Sequence, residues 1–135
     1  TRTGSDTALE IPVAPAGWAY EGWAVVDGQP ISTGLFTDPS QGDLFSGYNG
    51  PGNIPNKPGE DFIQNLPNGL VGPLDLRGQT VVVSIEPFQN GVDPTGDSPA
   101  QVKPLSANVA ADAIDHSAYD LMVSTDSVPS GSVSI

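Results

Sequence analysis

The chain has 135 residues, with sixteen Asp and Glu against only four Lys and Arg, a formal net charge of −12 at pH 7. A surface this acidic repels phosphate backbones and anionic headgroups, which sets nucleic-acid binding and peripheral membrane binding aside. No cysteine is present, excluding disulfides, thiolate metal sites and a Cys nucleophile. No apolar run approaches the roughly 18 residues that a spanning helix needs.

Sixteen Gly and fourteen Pro without a collagen-like period mean many turns, and the Val- and Ile-rich runs between them mean short strands. The expected fold class is therefore all-β: one antiparallel β-sandwich over residues 1–135 with long Gly/Pro-rich loops. The sequence opens at Thr1 with no Met or signal-like apolar stretch, so a processed mature form or an excised domain is expected.

Residues 1–7 (TRTGSDT) are polar. Residues 8–13 (ALEIPV) alternate, placing Leu9, Ile11 and Val13 on one face of a predicted strand. Pro12 lacks an amide donor and confines that strand to an edge. Residues 18–26 and 29–36 read as a hairpin closed on Asp27-Gly28, a pair that tolerates the positive φ of a type I′ turn. Tyr20, Gly22, Ala24 and Val26 fall on one face of its first strand, with Trp23 and Val25 on the other.

Residues 38–73 carry Gly or Pro every few positions. Leu44, Phe45, Tyr48, Ile54, Phe62, Ile63 and Leu66 are spread through the segment, which predicts an ordered loop insertion pinned to the sheet, with a short strand or turn near 60–66. Residues 74–88 (LDLRGQTVVVSIEPF) form the core strand, its Val81, Val82, Val83 and Ile85 predicting burial on both faces. A polar loop at 89–101 precedes a strand at 102–110 interrupted by Pro104. A helical turn is expected at 111–116, and further strands at 119–125 and in the terminal GSVSI.

The segments YEGW at 20–23, PIST-G-LF at 30–36 and IEP at 85–87 carry a pattern that resembles the extracytoplasmic C-terminal domain of anti-sigma factors of the anti-sigma-K type. The matching residues are Tyr20, Glu21, Gly22, Trp23, Pro30, Ser32, Thr33, Gly34, Phe36, Ile85, Glu86 and Pro87, with Asp97, Ser98 and Pro99 more loosely. The likeness spans roughly residues 9–105, with 38–73 as an insertion. It implies a β-sandwich outside the cytoplasm. Those regulators also use a sigma-binding region with a His/Cys zinc motif and a membrane helix. The residues in hand hold neither, so inhibition of a sigma factor does not carry over.

Candidate chemistry is sparse. Glu86, at the end of a buried strand, has the position of a buried general acid or base, yet no partner nucleophile accompanies it. It reads instead as an acceptor for loop amides at the turn that Pro87 begins, and Glu21 likewise as a residue tying the hairpin. His116 stands alone, flanked by Asp115, Ser117 and Asp120, which is not a triad geometry. Asp93, Asp97, Asp112 and Asp115 are candidate Ca²⁺ ligands beside Asn and Gly, with Glu60-Asp61 a third acidic cluster, although none matches the calcium-loop pattern. Beyond that possible Ca²⁺, no cofactor is expected. Trp18, Tyr20, Trp23, Phe36 and Tyr48 are either a sugar-stacking platform or core bulk, with core packing preferred.

The leading expectation is a non-enzymatic extracellular or cell-surface protein. It would associate through β edges with itself or another surface protein, as a self-assembling or filament-forming subunit. The assembly residues would be Leu9, Ile11 and Val13 in the arm 1–13, Val133 and Ile135 in the tail, and Tyr20, Trp23 and Glu86 in the frame. An extended end crossing into the next copy would propagate head to tail. The alternative is the sensory or ligand-binding domain of an anti-sigma-type regulator, and the third reading a carbohydrate-binding module.

Overall fold

The computed structural model describes residues 10–42, 44, 70, 74–94, 98–114, 121–124 and 131–132. Its strands are β1 (Trp18–Val26), β2 (Gln29–Phe36), β3 (Thr80–Pro87), β4 (Leu105–Asn108) and β5 (Met122–Val123), and no helix occurs among the described residues. They form one sheet in the order β2-β1-β3-β4-β5, antiparallel throughout. The all-β class expected from the Gly, Pro and Val content is thus the class observed.

The β1–β2 hairpin turns at Asp27 and Gly28, whose φ angles of +51° and +81° are those of a type I′ turn. Trp18, Tyr20, Gly22, Ala24 and Val26 alternate with Ala19, Glu21, Trp23 and Val25, as the pattern predicts. On the first face Tyr20, Phe36 and Val83 form the core cluster, with Ile11, Ala14, Ile85, Leu105 and Leu121 packed against it. The Tyr20 and Phe36 rings lie tilted with centroids 5.5 Å apart, within the range of favourable aromatic pairs. Burial raises the Tyr20 hydroxyl above its ordinary pKa.

The β1–β2 register breaks between Gly22 and Trp23: Gly22 pairs with Gly34 but Trp23 pairs with Ser32. Thr33 is therefore an extra residue, a bulge. Because side chains alternate with period two, this one insertion exchanges the faces of everything before it in β2. Ile31 joins Ala24 on the apolar face, and Ser32 joins Trp23 on the other. Two glycines permit it. Gly34 sits at φ +129°, and a Cβ on Gly22 would collide with Thr33 Oγ1.

β2 is one edge of the sheet and is blunted along its length. Pro30 pairs with Val25 one step beyond the closing Val26–Gln29 pair, so its missing N–H falls on the outer side, where edge prolines are tolerated. Further along, the outward carbonyls of Leu35 and Thr37 accept the amides of Leu44 and Ala14, at 2.7 and 2.8 Å.

Several expectations are corrected. Residues 10–13 form no strand: with Pro12 and Pro15 the segment lacks the donors for a ladder. Ile11 consequently packs on the core while Val13 is 61% exposed, instead of sharing a face. The polar loop after Phe88 contains a second tight turn, with Asn90 at φ +55° and Gly91 at +77°, bridging Gln89 to Val92. The core strand begins at Thr80, because Arg77-Gly78 make a turn closed by the Gln79 amide on the Leu76 carbonyl at 3.0 Å. The strand at 102–110 shortens to four residues after Pro104, and 111–112 are a turn, with Ala113 donating to the Ala110 carbonyl. Leu9 and the rest of 1–9, most of the 38–73 insertion with its short strand or turn near 60–66, and the terminal Val133 and Ile135 lie outside the described residues.

Replacing Gly22 with Ala is expected to destabilise the protein by about 1–3 kcal/mol, the usual cost of overpacking. Chemical denaturation of Gly22→Ala, Thr33→Ala and the double variant checks this. The double variant recovers most of the loss, because removing Oγ1 makes room for the new methyl.

Candidate functional site

The second face of the sheet buries polar groups. Ala19, Glu21, Trp23 and Val25 of β1 pair with Glu86, Ser84, Val82 and Thr80 of β3, and Ser32 reaches the same side through the bulge. Glu86 and Ser84 have no solvent exposure, Trp23 is 1% exposed and Glu21 5%. Such groups are tolerated in an interior only when hydrogen-bonded.

Most of these atoms are, while Glu21 Oε2 is buried with no hydrogen bond among the described residues. Trp23 Nε1 donates to Ser84 Oγ at 2.8 Å, and the Ser84 hydroxyl donates to Glu86 Oε1. The same oxygen accepts the backbone amide of Ala100 at 2.9 Å. This is the loop-amide contact expected for Glu86, and it ties the segment before β4 to the end of β3. Across the hairpin, Ser32 Oγ donates to Glu21 Oε1 at 2.5 Å while accepting the Gly34 amide at 3.2 Å. Glu21 thus joins β1 to β2 just where the bulge interrupts their ladder. Thr80 Oγ1 donates to Asn108 Oδ1 at 2.8 Å, linking β3 to β4.

Chemically this arrangement is a lock. Oε1 of Glu21 accepts from Ser32, Oε1 of Glu86 accepts from Ser84 and Ala100, and both side chains are shielded from solvent. The Trp23 ring adds apolar burial of about 150–250 Å², on the order of 4–6 kcal/mol before the unfolded chain's own burial is subtracted. Of the aromatic set, Tyr20, Trp23 and Phe36 are all buried in packing. Trp18 is 46% exposed, and Tyr48 lies outside the described residues.

The acidic candidates divide similarly. Asp93 is half-buried after the Asn90-Gly91 turn and Asp112 is exposed in the turn after Ala110. Asp97, Asp115, His116 and Glu60-Asp61 fall outside the described residues. Among the described residues no three His, Cys, Asp or Glu side chains group as metal ligands would. Asp38 and Asp75 have local partners instead. The Ser40 hydroxyl and amide donate to Asp38 and lower its pKa. Arg77 grips Asp75 with Nε and Nη2 and holds its pKa down to about 2.

Two surface features complete the picture. A shallow open hollow of about 350 Å³ is lined by Ala16, Gly17, Phe88, Gln89 and Asn90. At the opposite margin from β2, Met122 and Val123 are 73% and 75% exposed, and no described strand lies beyond β5. The sequence pattern does not mark the hollow; β5 lies within the strand expected at 119–125, of which only 121–124 are described. No family model matches the chain, and neither a curated protein nor a solved structure matches it. Nothing among these comparisons bears on the anti-sigma-type resemblance.

Glu86→Ala is expected to strand the Ser84 hydroxyl and the Ala100 amide, at about 1–3 kcal/mol for each unsatisfied buried donor. Urea unfolding measures the loss, and Glu86→Gln, which keeps an acceptor at Oε1, retains most of the stability. Separately, NMR titration should place the Asp75 midpoint near 2, and Arg77→Ala should return it towards the ordinary 3.8. Because the folded value is depressed, the pair's contribution is present above the unfolded pKa and lost as pH falls through the folded one. Both side chains are more than half exposed, so that contribution is small.

Proposed function

We propose that this chain is a non-enzymatic, extracellular or cell-surface β-sandwich subunit that associates through the β5 margin of its sheet, with a further copy of itself as the partner. The observation that carries this reading is the asymmetry of the two edges. β2 bears an outward proline, a bulge and two occupied carbonyls, the devices by which natural sheets suppress edge pairing. β5 carries two large apolar side chains, both about three-quarters exposed.

The ladder geometry defines what β5 offers. Leu105 pairs with Val123 and Ser106 with Met122, and the Ser124 amide donates to the Pro104 carbonyl at 2.8 Å. Hydrogen-bonded and non-bonded pairs alternate in an antiparallel ladder. The N–H and C=O of Val123 therefore point away from β4, towards an incoming strand. Met122 and Val123 alternate across the sheet, so an added strand gains apolar contact on both sides. Burial on both faces of the sheet supports the layered, sandwich part of the reading. The locked carboxylates Glu21 and Glu86 support its structural character.

Charge opposes association. Two copies each at −12 repel over a Debye length of about 8–10 Å near physiological salt, so raising ionic strength strengthens the assembly, the reverse of a charge-complementary interface.

Sedimentation velocity of the full chain over a range of concentration and salt tests this. The wild type is expected to self-associate, more strongly at high salt, and Val123→Pro to remain monomeric. That substitution removes only the outward donor and leaves the bonds to β4 in place, so its fold and melting temperature are preserved. A wild type monomeric at every concentration and salt overturns the proposal.

A further inference from the structure

We propose that Asn90 is a site of spontaneous covalent modification, converting through a succinimide to aspartate and isoaspartate. Among the described residues two turns have positive φ at both central residues, Asp27-Gly28 and Asn90-Gly91, and they differ in what restrains the first side chain. At the hairpin tip, Gln79 holds Asp27 from two sides: the Asp27 amide donates to Gln79 Oε1 at 3.1 Å, and Gln79 Nε2 donates to Asp27 Oδ1 at 3.4 Å. Asn90 makes no side-chain hydrogen bond among the described residues and is exposed.

The nucleophile is equally accessible. The turn is closed by Val92 donating to the Gln89 carbonyl at 3.0 Å and Gln89 donating to the Val92 carbonyl at 3.2 Å, which leaves the Gly91 amide outside the ladder. Nothing lies within 4 Å of a Cβ position on Gly91, so the turn is open on that side. The Gln89–Val92 bridge is isolated from the named strands, and the backbone rotation needed to bring Gly91 N onto Asn90 Cγ disturbs little else.

In the step itself, the Gly91 nitrogen attacks Asn90 Cγ and the N–Cγ bond forms. The Cγ–Nδ2 bond breaks, and Nδ2 leaves as ammonia with the proton lost from the Gly91 amide. Water then opens the five-membered imide. Attack at Cγ restores a normal peptide bond and gives Asp; attack at the main-chain carbonyl carbon routes the backbone through Cβ and Cγ and gives isoaspartate. Either product adds one negative charge at the rim of the hollow beside Phe88 and Gln89. The isoaspartate also lengthens the two-residue turn by one carbon and breaks the Gln89–Val92 bridge.

The test is incubation of the full chain at mildly alkaline pH, followed by site-resolved peptide mapping and enzymatic methyl labelling of isoaspartate. Site resolution separates Asn90 from Asn49-Gly50 and Asn68-Gly69, which lie outside the described residues. The expected result is isoaspartate and aspartate accumulating at position 90, and loss of that label in Asn90→Gly, which accepts the positive φ and keeps the turn. In Asp27→Asn, the Asn-Gly pair held by Gln79 is expected to convert more slowly than Asn90. Asn90 staying intact while a free FQNGVD peptide converts under the same conditions overturns the proposal. Equal rates at positions 27 and 90 in Asp27→Asn overturn the part assigned to the Gln79 contact.

Discussion

The pairing of β2 with β1 turns on Thr33, the one residue that opposes nothing. By occupying a bulge it shifts Ile31 to the apolar face and Ser32 to the polar one, and each shift is required by what waits there. Ile31 is 1% exposed and would otherwise lie on the polar face. Ser32 supplies the hydroxyl that Glu21 needs once both are removed from water. Ser32 meets Oε1 of that carboxylate while Oε2 stays buried without a hydrogen bond among the described residues, so the bulge lowers the cost of burying the acid without removing it. The glycines at 22 and 34 are the bulge's steric conditions, since one gives room for Thr33 and the other takes a φ that side chains disfavour.

The same logic extends across the sheet. Glu86, in line with Glu21 on the polar face, has its Oε1 met by Ser84 and by the amide of Ala100. Ser84 in turn accepts from Trp23. β1 and β3 are therefore joined by side-chain hydrogen bonds as well as by the backbone ladder, and the segment leading into β4 is fastened to the same group. Such networks specify register sharply, because a slip leaves several buried donors unmet. Outward of β4, β5 is held by a short ladder with Leu105 and Ser106, by the Ser124 amide on the Pro104 carbonyl and by Leu121 packing on the core.

The parts of this fold that were legible in the sequence are those written in local chemistry. Asp27-Gly28 announced the hairpin because few other pairs take φ angles of that sign, and Val81 to Ile85 announced a central strand because both its faces are covered. The bulge was written less plainly. Its traces are the isolated strand glycines Gly22 and Gly34, a signal of a bulge or a close backbone approach that does not say which residue is the extra one. Asn90-Gly91 is the same signal as Asp27-Gly28 and was lost in a segment treated as uniformly polar. Alternation alone puts Ile11 and Val13 on one face, but the missing donors of Pro12 and Pro15 prevent a strand there. The polar network was partly visible. Glu86 was expected to hold loop amides, but its link through Ser84 to Trp23 joins residues 61 positions apart and depends on a register no local pattern reveals.

Charge, edge and register meet at Val123. Its amide points away from the sheet, and whether a second strand covers it is the question on which the account of function rests. The most direct measurement is the hydrogen-exchange rate of the Val123 amide in the full chain as protein concentration rises at high salt. Pairing through β5 predicts progressive protection of that amide, with the Met122 amide, already bonded to β4, changing little. Exchange at Val123 that is fast and independent of concentration, in a protein that nonetheless associates, would contradict the account.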